Sequence, residues 1–389
     1  MPGGQHVLSL GRPSGPTIRL TCRRDPTSQR RVPSSTLLWS AGLSWGKAKE
    51  RAIRRLPKEP RPVKRLPREA VCLGLLAALL GLAGCGGQPA PALTGDADTL
   101  GASPPLPTLL KTHVVTLSDT IGNRSVNAYT HLTQAANYIE DAFGAQGYTV
   151  TRQTFTAGGK SVRNVIANKR GRNPSLPIVL IGAHYDSYYA PGADDNASGV
   201  AAMLGLARRL SGKTTPGSVR FVAFVNEEDP WWGTNKMGSL VCARAARAAG
   251  ENLRVMLNLD MVGYYPGGRH YLLVGSNVRS SATGERVKRL LGQSTTFALR
   301  SMDRSDPAIR WSDHWAFWQE GYQALYLAGP SWDHDQNIHS PADTWEKLSY
   351  ANMAELVRGL DTVVFGLWQG QPAAAHELAL WPGTLVGVN

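Results

Sequence analysis

Cysteine is scarce in this chain of 389 residues: there are four, and only Cys242 lies beyond residue 85. A disulfide framework inside the main body is therefore excluded, and Cys242, in an Ala-rich helical pattern, reads as a small core residue. Long apolar runs are missing too. The most apolar segment, Val71–Ala83, has 13 residues, short of the ~18 or more that a membrane-spanning helix needs. Acidic residues are in deficit, 29 against 42 Lys and Arg, but the deficit is local. Residues 1–84 hold 16 Lys and Arg against 4 Asp and Glu, a net of +12, and the other 305 residues carry only +1. The body is close to neutral, so the overall charge gives it no nucleic-acid footprint. No repeat of solenoid or propeller period is found, and 42% hydrophobic residues can bury a sizeable core, which excludes global disorder.

What is present at the front reads as an address. Residues 1–70 are rich in Arg, Pro, Ser and Gly without a sustained helical or strand period, so no packed domain is expected there. Lys64, Arg65 and Arg68 precede the apolar run, which closes on Leu82, Ala83, Gly84 and Cys85. This resembles a bacterial lipoprotein signal, in which Cys85 becomes the lipidated first residue of an exported, membrane-anchored protein. A complete signal would span residues 63–85 if Val63 were the initiator, and residues 1–62 are then expected to be an over-extended reading frame. Gly86–Leu109, rich in Pro, Ala, Gly and Thr, reads as a tether, so that residues 86–110 link the anchor to a body of residues 111–389. A basic arm for nucleic acid is the competing reading of the front, and export argues against it.

The body alternates strand and helix patterns. Val126–Phe143 is helical; Tyr148–Phe155 and Val162–Ala167 read as strands. Four runs define the expected sheet centre: Pro177–Ala183, Val219–Val225, Arg254–Leu259 and Gln323–Leu327. Helical stripes cover Val200–Leu210 and, at the end, Trp345–Trp368. The expected class is α/β, a mostly parallel central sheet with helices on both faces.

Ionisable residues fall where such sheets put their sites, at the carboxyl ends of strands. His184 and Asp186 follow the first run in G-A-H-Y-D-S, and Asp194 and Asp195 lie in P-G-A-D-D-N-A-S-G just before the Val200 helix. Glu227 and Glu228 follow the second run in N-E-E, and Asp260 ends the third in L-N-L-D-M. Mixed His and carboxylate donors suit zinc, and one shared carboxylate suits a pair of ions.

In spacing, order and flanking residues these motifs resemble the co-catalytic dizinc aminopeptidases, typified by secreted bacterial leucyl aminopeptidases and aminopeptidase Y and related to glutaminyl cyclases. The resemblance covers roughly residues 125–368 and implies the phosphorylase/hydrolase-like architecture of zinc exopeptidases. It further implies two Zn(2+) per chain, one held by His184 and Asp260, the other by Glu228 and His339 of N-I-H-S-P-A-D, with Asp195 bridging. Glu227 would be the general base and acid for a zinc-activated water, and Asp186 would receive the ring N–H of His184. Peptides with a free N-terminus are the implied substrates. Ser312–His314, S-D-H, is similar to a further family segment, and Ile309 stands where some relatives have a Tyr.

Each residue has a plainer reading when taken alone. Asp194 is a candidate N-cap, Glu227 and Glu228 would suit a solvated turn, and His334 in W-D-H-D rivals His339. Trp231, Trp232, Trp311, Trp315, Trp318 and Trp332 lie near the proposed site and are expected either to wall an apolar pocket or to pack in the core. Two other functions share the same residues: a glutaminyl cyclase with one zinc, and a non-catalytic peptide-binding surface module. Doubled Asp194 and Asp195 with an intact His184 favour the two-metal peptidase over the first, and the complete donor set with Glu227 favours it over the second.

Overall fold

The computed structural model describes residues 104–369. The leader, Cys85 and most of the tether lie outside the described residues. Two helices come first, α1 (Leu106–Val115) and α2 (Tyr129–Ala145). The α1 helix begins inside the segment read as tether, because Leu110 and Val114 supply an apolar stripe that the core takes up. Eight strands follow: β1 (Thr149–Ala157), β2 (Lys160–Lys169), β3 (Ile178–His184), β4 (Val219–Phe224), β5 (Leu253–Leu259), β6 (Tyr271–Ser276), β7 (Ala298–Ser301) and β8 (Ala324–Ala328). They form one sheet in the order β1-β2-β4-β3-β5-β8-β6-β7. The pairs β3–β4, β3–β5, β5–β8 and β6–β7 are parallel, and the antiparallel pairs lie towards the two ends.

Side-chain alternation along β3 explains why both faces are covered. Val179, Ile181 and Ala183 enter one core with α1, α2, α3 (Gly199–Ser211), α5 (Ser281–Gly292) and α8 (Tyr350–Gly366). Leu180 enters a second core with Val222, Phe224 and Met256, under α4 (Gly238–Ala248) and α6 (His314–Gln319). A strand with apolar residues on both sides must be buried on both, and only a central parallel strand meets that condition. Cys242 is buried in the second core. The expected α/β class with a mostly parallel sheet is what the chain adopts. β6, β7 and α5 were not anticipated: β7 is four residues long and mostly exposed, too short to carry a strand period. Among the described residues no helix is long and apolar enough to cross a membrane.

Three neighbouring parallel strands, β4, β3 and β5, all end on the same edge of the sheet, and β8 lies next to β5. The loops that leave this edge hold the site residues.

One buried group away from that edge makes stability depend on pH. His113 on α1 pairs through Nδ1 with the Tyr138 hydroxyl at 2.7 Å. Burial, aided by the charge of Arg208, pushes its pKa down to about 4. The unfolded chain gains this proton near pH 6.5, so the contribution is full above that pH and is lost as pH falls towards 4. We expect about 2 kcal/mol less stability at pH 5 than at pH 7 from this residue. Urea unfolding of His113→Phe should show a correspondingly shallower pH dependence; an unchanged slope would refute the assignment.

Candidate active site

His184 is the last residue of β3, Glu227 and Glu228 follow β4, and Asp260 follows β5. Asp195 comes from the loop before α3, and His339 from the loop after the short helix α7 (Ser331–His334). The fold brings all six together. Three sets of donor atoms lie within 4.8 Å of one another: His184, Asp195 and Asp260; His184, Glu227 and Glu228; Asp195, Glu228 and His339. Asp195 stands in the middle. Its Oδ1 is 3.2 Å from Nε2 of His184 and its Oδ2 is 3.0 Å from Nε2 of His339. Asp260 Oδ1 is 3.5 Å from the His184 nitrogen, and Glu228 Oε1 is 3.3 Å from that of His339.

The electrostatics bear on what this cluster could hold. Burial works against charge on His184, yet Asp260, Asp186 and Asp195 hold its pKa well above the ordinary value. Burial likewise opposes His339, but Glu228 and Asp195 raise it to about 10. Burial would raise Asp195, and the two imidazoles overcome it and depress its pKa. The carboxylates favour positive charge at both rings, and divalent ions at the same atoms would meet that demand. Asp260 adds a geometric test. Its Oδ2 accepts from Ser312 Oγ at 2.6 Å and from the Tyr326 hydroxyl at 3.4 Å, whereas its buried Oδ1 faces the His184 ring nitrogen at 3.5 Å and has no closer donor. An acceptor left open in the interior fits a metal donor. Imidazole with carboxylate oxygen is a donor set that suits zinc.

Several neighbours differ from expectation. The ring of His184 pairs through Nδ1 with the backbone oxygen of Asp186 at 3.1 Å, and the Asp186 carboxylate is farther, at 3.7 Å. That carboxylate also accepts the backbone N–H groups of Glu227 at 3.2 Å and Glu228 at 3.0 Å. It is a clamp on the N-E-E loop, because two adjacent amides satisfy a buried carboxylate better than one ring. Asp194 is not an N-cap: its Oδ1 accepts from the backbone of Gly263 and Tyr264, and the amide of Gly199 at the start of α3 is met by Asn196. Burial, with Asp343 nearby, pushes the Asp194 pKa up to about 8. Asp343, in the same motif as His339, accepts the amides of Asp194 and Asp195 at 2.7 and 3.1 Å. Of the tryptophans, Trp232 and Trp315 stack at 5.2 Å inside the second core, and Trp318 bonds the Ala324 oxygen beside it. Trp311 and Trp332 are half-buried and meet at 6.5 Å, and Trp332 lies edge-on to Tyr326. Ile309 is buried, and the side chain of His334 lies outside the described part.

Backbone strain concentrates here. Among the described residues four non-glycine residues have positive φ: Tyr189, Asn226, Met261 and His339. Asn226 precedes Glu227, Met261 follows Asp260, and His339 is itself in the cluster. Each such conformation costs on the order of 1 to 3 kcal/mol and persists only where the surroundings enforce it.

The sequence profile described as Peptidase family M28 matches residues 164–363. The chain belongs to that family. YfbL of Escherichia coli strain K12 is 31% identical over 288 residues, covering 67% of this chain and 88% of the relative. A probable leucine aminopeptidase of Arthroderma otae is 31% identical over 209 residues, covering 50% of this chain and 54% of its own length, so the chain spans about half of that relative. Among solved structures, the LapA aminopeptidase of Legionella pneumophila matches with a TM-score of 0.59 at 20% identity, over 67% of this chain and 71% of that one. A glutaminyl cyclase of Bacteroides thetaiotaomicron matches with a TM-score of 0.56 at 18% identity, over 67% and 97%. At these identities the two structures share the fold, and the fold by itself does not choose between their chemistries.

Nothing in the sequence signalled Arg124. Its side chain is fully buried and donates five hydrogen bonds to backbone oxygens, those of Tyr185, Leu117, Gly122, Pro191 and Gly192, at 2.6 to 3.0 Å. It fixes the loop between His184 and Asp195. Gly192 has φ 59°, and a Cβ there would approach the Asp195 oxygen to 2.3 Å, so only glycine permits this path. Burial lowers the Arg124 pKa to about 10, and the charges of Asp343, Asp186, Asp195 and Glu228 act to raise it. In this M28 chain, Arg124→Met should cost about 3 to 5 kcal/mol in urea unfolding. Arg124→Lys, with three donors instead of five, should recover only part of the loss; a change under about 1 kcal/mol in Arg124→Met would contradict the clamp.

Proposed function

We propose that the protein is an exported metal-dependent aminopeptidase that releases N-terminal residues from peptides, using two zinc ions and Glu227. The observation that carries this reading is Asp195, one carboxylate whose two oxygens face two different imidazoles at 3.2 and 3.0 Å. A carboxylate shared in this way suits a pair of cations, with His184 and Asp260 on one and Glu228 and His339 on the other. This sharing favours the two-metal peptidase over the one-zinc cyclase. When bound, zinc supplies Lewis acidity, which polarises the scissile carbonyl and makes water acidic enough to attack near neutral pH.

The chain's own residues supply the rest. Glu227, buried beside the donor cluster, takes one proton from the attacking water. As the C–N bond breaks, Glu227 gives that proton to the leaving nitrogen, so the peptide leaves as an amine and the released residue as a carboxylic acid. Asp186, by holding the Glu227 and Glu228 amides, keeps the adjacent glutamates aimed at different partners. Ser312 and Tyr326 turn the Asp260 carboxylate so that Oδ1 faces the cluster. Trp332 and Met302 pack beside Tyr326, Trp311 meets Trp332, and together they would wall an apolar N-terminal side chain.

The test is hydrolysis of free and N-acetylated leucyl anilide by the zinc-loaded protein, with and without chelator, alongside Glu227→Gln. The expected outcome is chelator-sensitive cleavage of the free-amine substrate alone, and a loss in kcat of about 10²- to 10⁴-fold in Glu227→Gln with metal content kept. Cyclisation of N-terminal Gln substrates with one zinc per chain would replace this reading by the cyclase. Metal binding with no turnover would replace it by a peptide-binding module.

Export and anchoring belong to the same proposal and rest on the pattern that ends at Cys85. Mass spectrometry of the protein from a lipoprotein-processing bacterial host should find a mature chain beginning at a lipidated Cys85. A mature chain that keeps residues before Cys85 would overturn it, and a tryptic peptide from residues 1–60 would show that the front is translated.

A further inference from the structure

The loop after β3 continues as Tyr188 and Tyr189, which the metal and base chemistry does not use. The Tyr188 ring packs on the imidazole of His339, with centroids 4.7 Å apart. Tyr189 meets the edge of Tyr188 at 5.0 Å and 83°. Among the described residues Tyr189, 49% exposed, and Val278 are the only exposed large hydrophobic side chains. Its backbone is left-handed at φ 52°, a costly conformation for a bulky residue. The ring is nonetheless fixed: its hydroxyl accepts from Asn127 Nδ2 at 2.8 Å, from the turn ahead of α2. A strained backbone, an edge-to-face contact and a hydrogen bond from another element hold an aromatic face in solvent. The solvent-facing side of the ring adds nothing to the core, and it is open to a ligand.

The two ends of the donor cluster differ in enclosure. At the Asp260 end, Tyr326 and Ile309 are buried and Trp311 and Trp332 half-buried. At the His339 end, Tyr189 faces solvent. An enzyme that removes one residue can enclose that residue, but the rest of the peptide, of any length, must leave through the open end.

We infer that Tyr188 and Tyr189 form an aromatic shelf that binds the side chain of the residue following the scissile bond, favouring peptides whose second residue is apolar or aromatic. The inference rests on the aminopeptidase reading above and adds a specificity to it. Stacking of the second side chain on a fixed ring should be worth about tenfold in kcat/KM.

The experiment compares kcat/KM for Leu-Phe and Leu-Gly, which share the residue at the enclosed end, using the zinc-loaded protein. The wild type should prefer Leu-Phe by about tenfold. Tyr189→Ala should bring the ratio to within about threefold of unity, and Tyr189→Phe, which keeps the ring, should restore most of it. Asn127→Ala leaves the ring in place but unpinned, and should give an intermediate ratio even if Tyr189→Ala fails to fold. A wild-type ratio near one, or an equal loss on both dipeptides in Tyr189→Ala, overturns the shelf and leaves the aminopeptidase standing. No hydrolysis of either dipeptide by the wild type overturns both.

Discussion

A buried carboxylate has to be met by a positive charge or by hydrogen-bond donors, and this fold buries several in one place. Asp186, Asp194, Asp195, Glu227, Glu228, Asp260 and Asp343 are all withdrawn from solvent at the carboxyl edge of the sheet. Such a group of acids would repel itself apart unless each were compensated. Six of the seven fall into two sets. Asp186, Asp194 and Asp343 are occupied by pairs of main-chain amides, and in being so occupied they tie one loop to another. Asp195, Asp260 and Glu228 turn oxygens towards His184 and His339. Arg124, enclosed by carbonyl oxygens beneath the same loops, supplies a fixed positive charge that needs no carboxylate partner.

The loops that this compensation locks are also the strained ones. Asn226 and Met261 are held left-handed beside Glu227 and Asp260, and each is flanked by clamped amides: the Asp186 carboxylate holds residues 227 and 228, and the Asp194 carboxylate holds residues 263 and 264. Side chains at strand ends would ordinarily follow the up-and-down alternation of the pleat. A left-handed residue breaks that alternation, and the adjacent Glu227 and Glu228 both reach the donor cluster.

The sheet centre and the donor cluster were legible in the sequence for a physical reason. Central parallel strands must be apolar on both faces, so Ile178–His184, Val219–Phe224 and Leu253–Leu259 stand out as continuous runs, and the first polar residue after each is forced to the edge where sites form. The resemblance of G-A-H-Y-D-S, N-E-E, L-N-L-D-M and N-I-H-S-P-A-D to one family added the pairing of donors. What stayed hidden is what chain spacing does not encode. Asp186 is two residues from His184, which suggests a partnership with its ring, yet the carboxylate reaches a loop more than forty residues on. Arg124 sits in a polar stretch with no periodic signal, and its partners are backbone oxygens, which have no sequence signature. The tryptophans were ambiguous because stacking in a core and walling a pocket draw on the same residue type; Trp232 and Trp315 took the first role.

Asp343 links the two most distant parts of this arrangement. His184 and His339 are 155 residues apart in sequence, and the loop bearing His339 is stitched to the loop bearing Asp195 through Asp343 and the amides of residues 194 and 195. No short stretch of the chain can assemble the five proposed ligands and Glu227; the sheet has to close through β8 before the last of them arrives. High contact order of this kind makes folding slow relative to local helix formation. It also means that a cation bound by the complete set has no comparable site on the unfolded chain. Its affinity would then add directly to the stability of the native state, and a cell compartment poor in the metal would hold a weaker protein as well as an idle one.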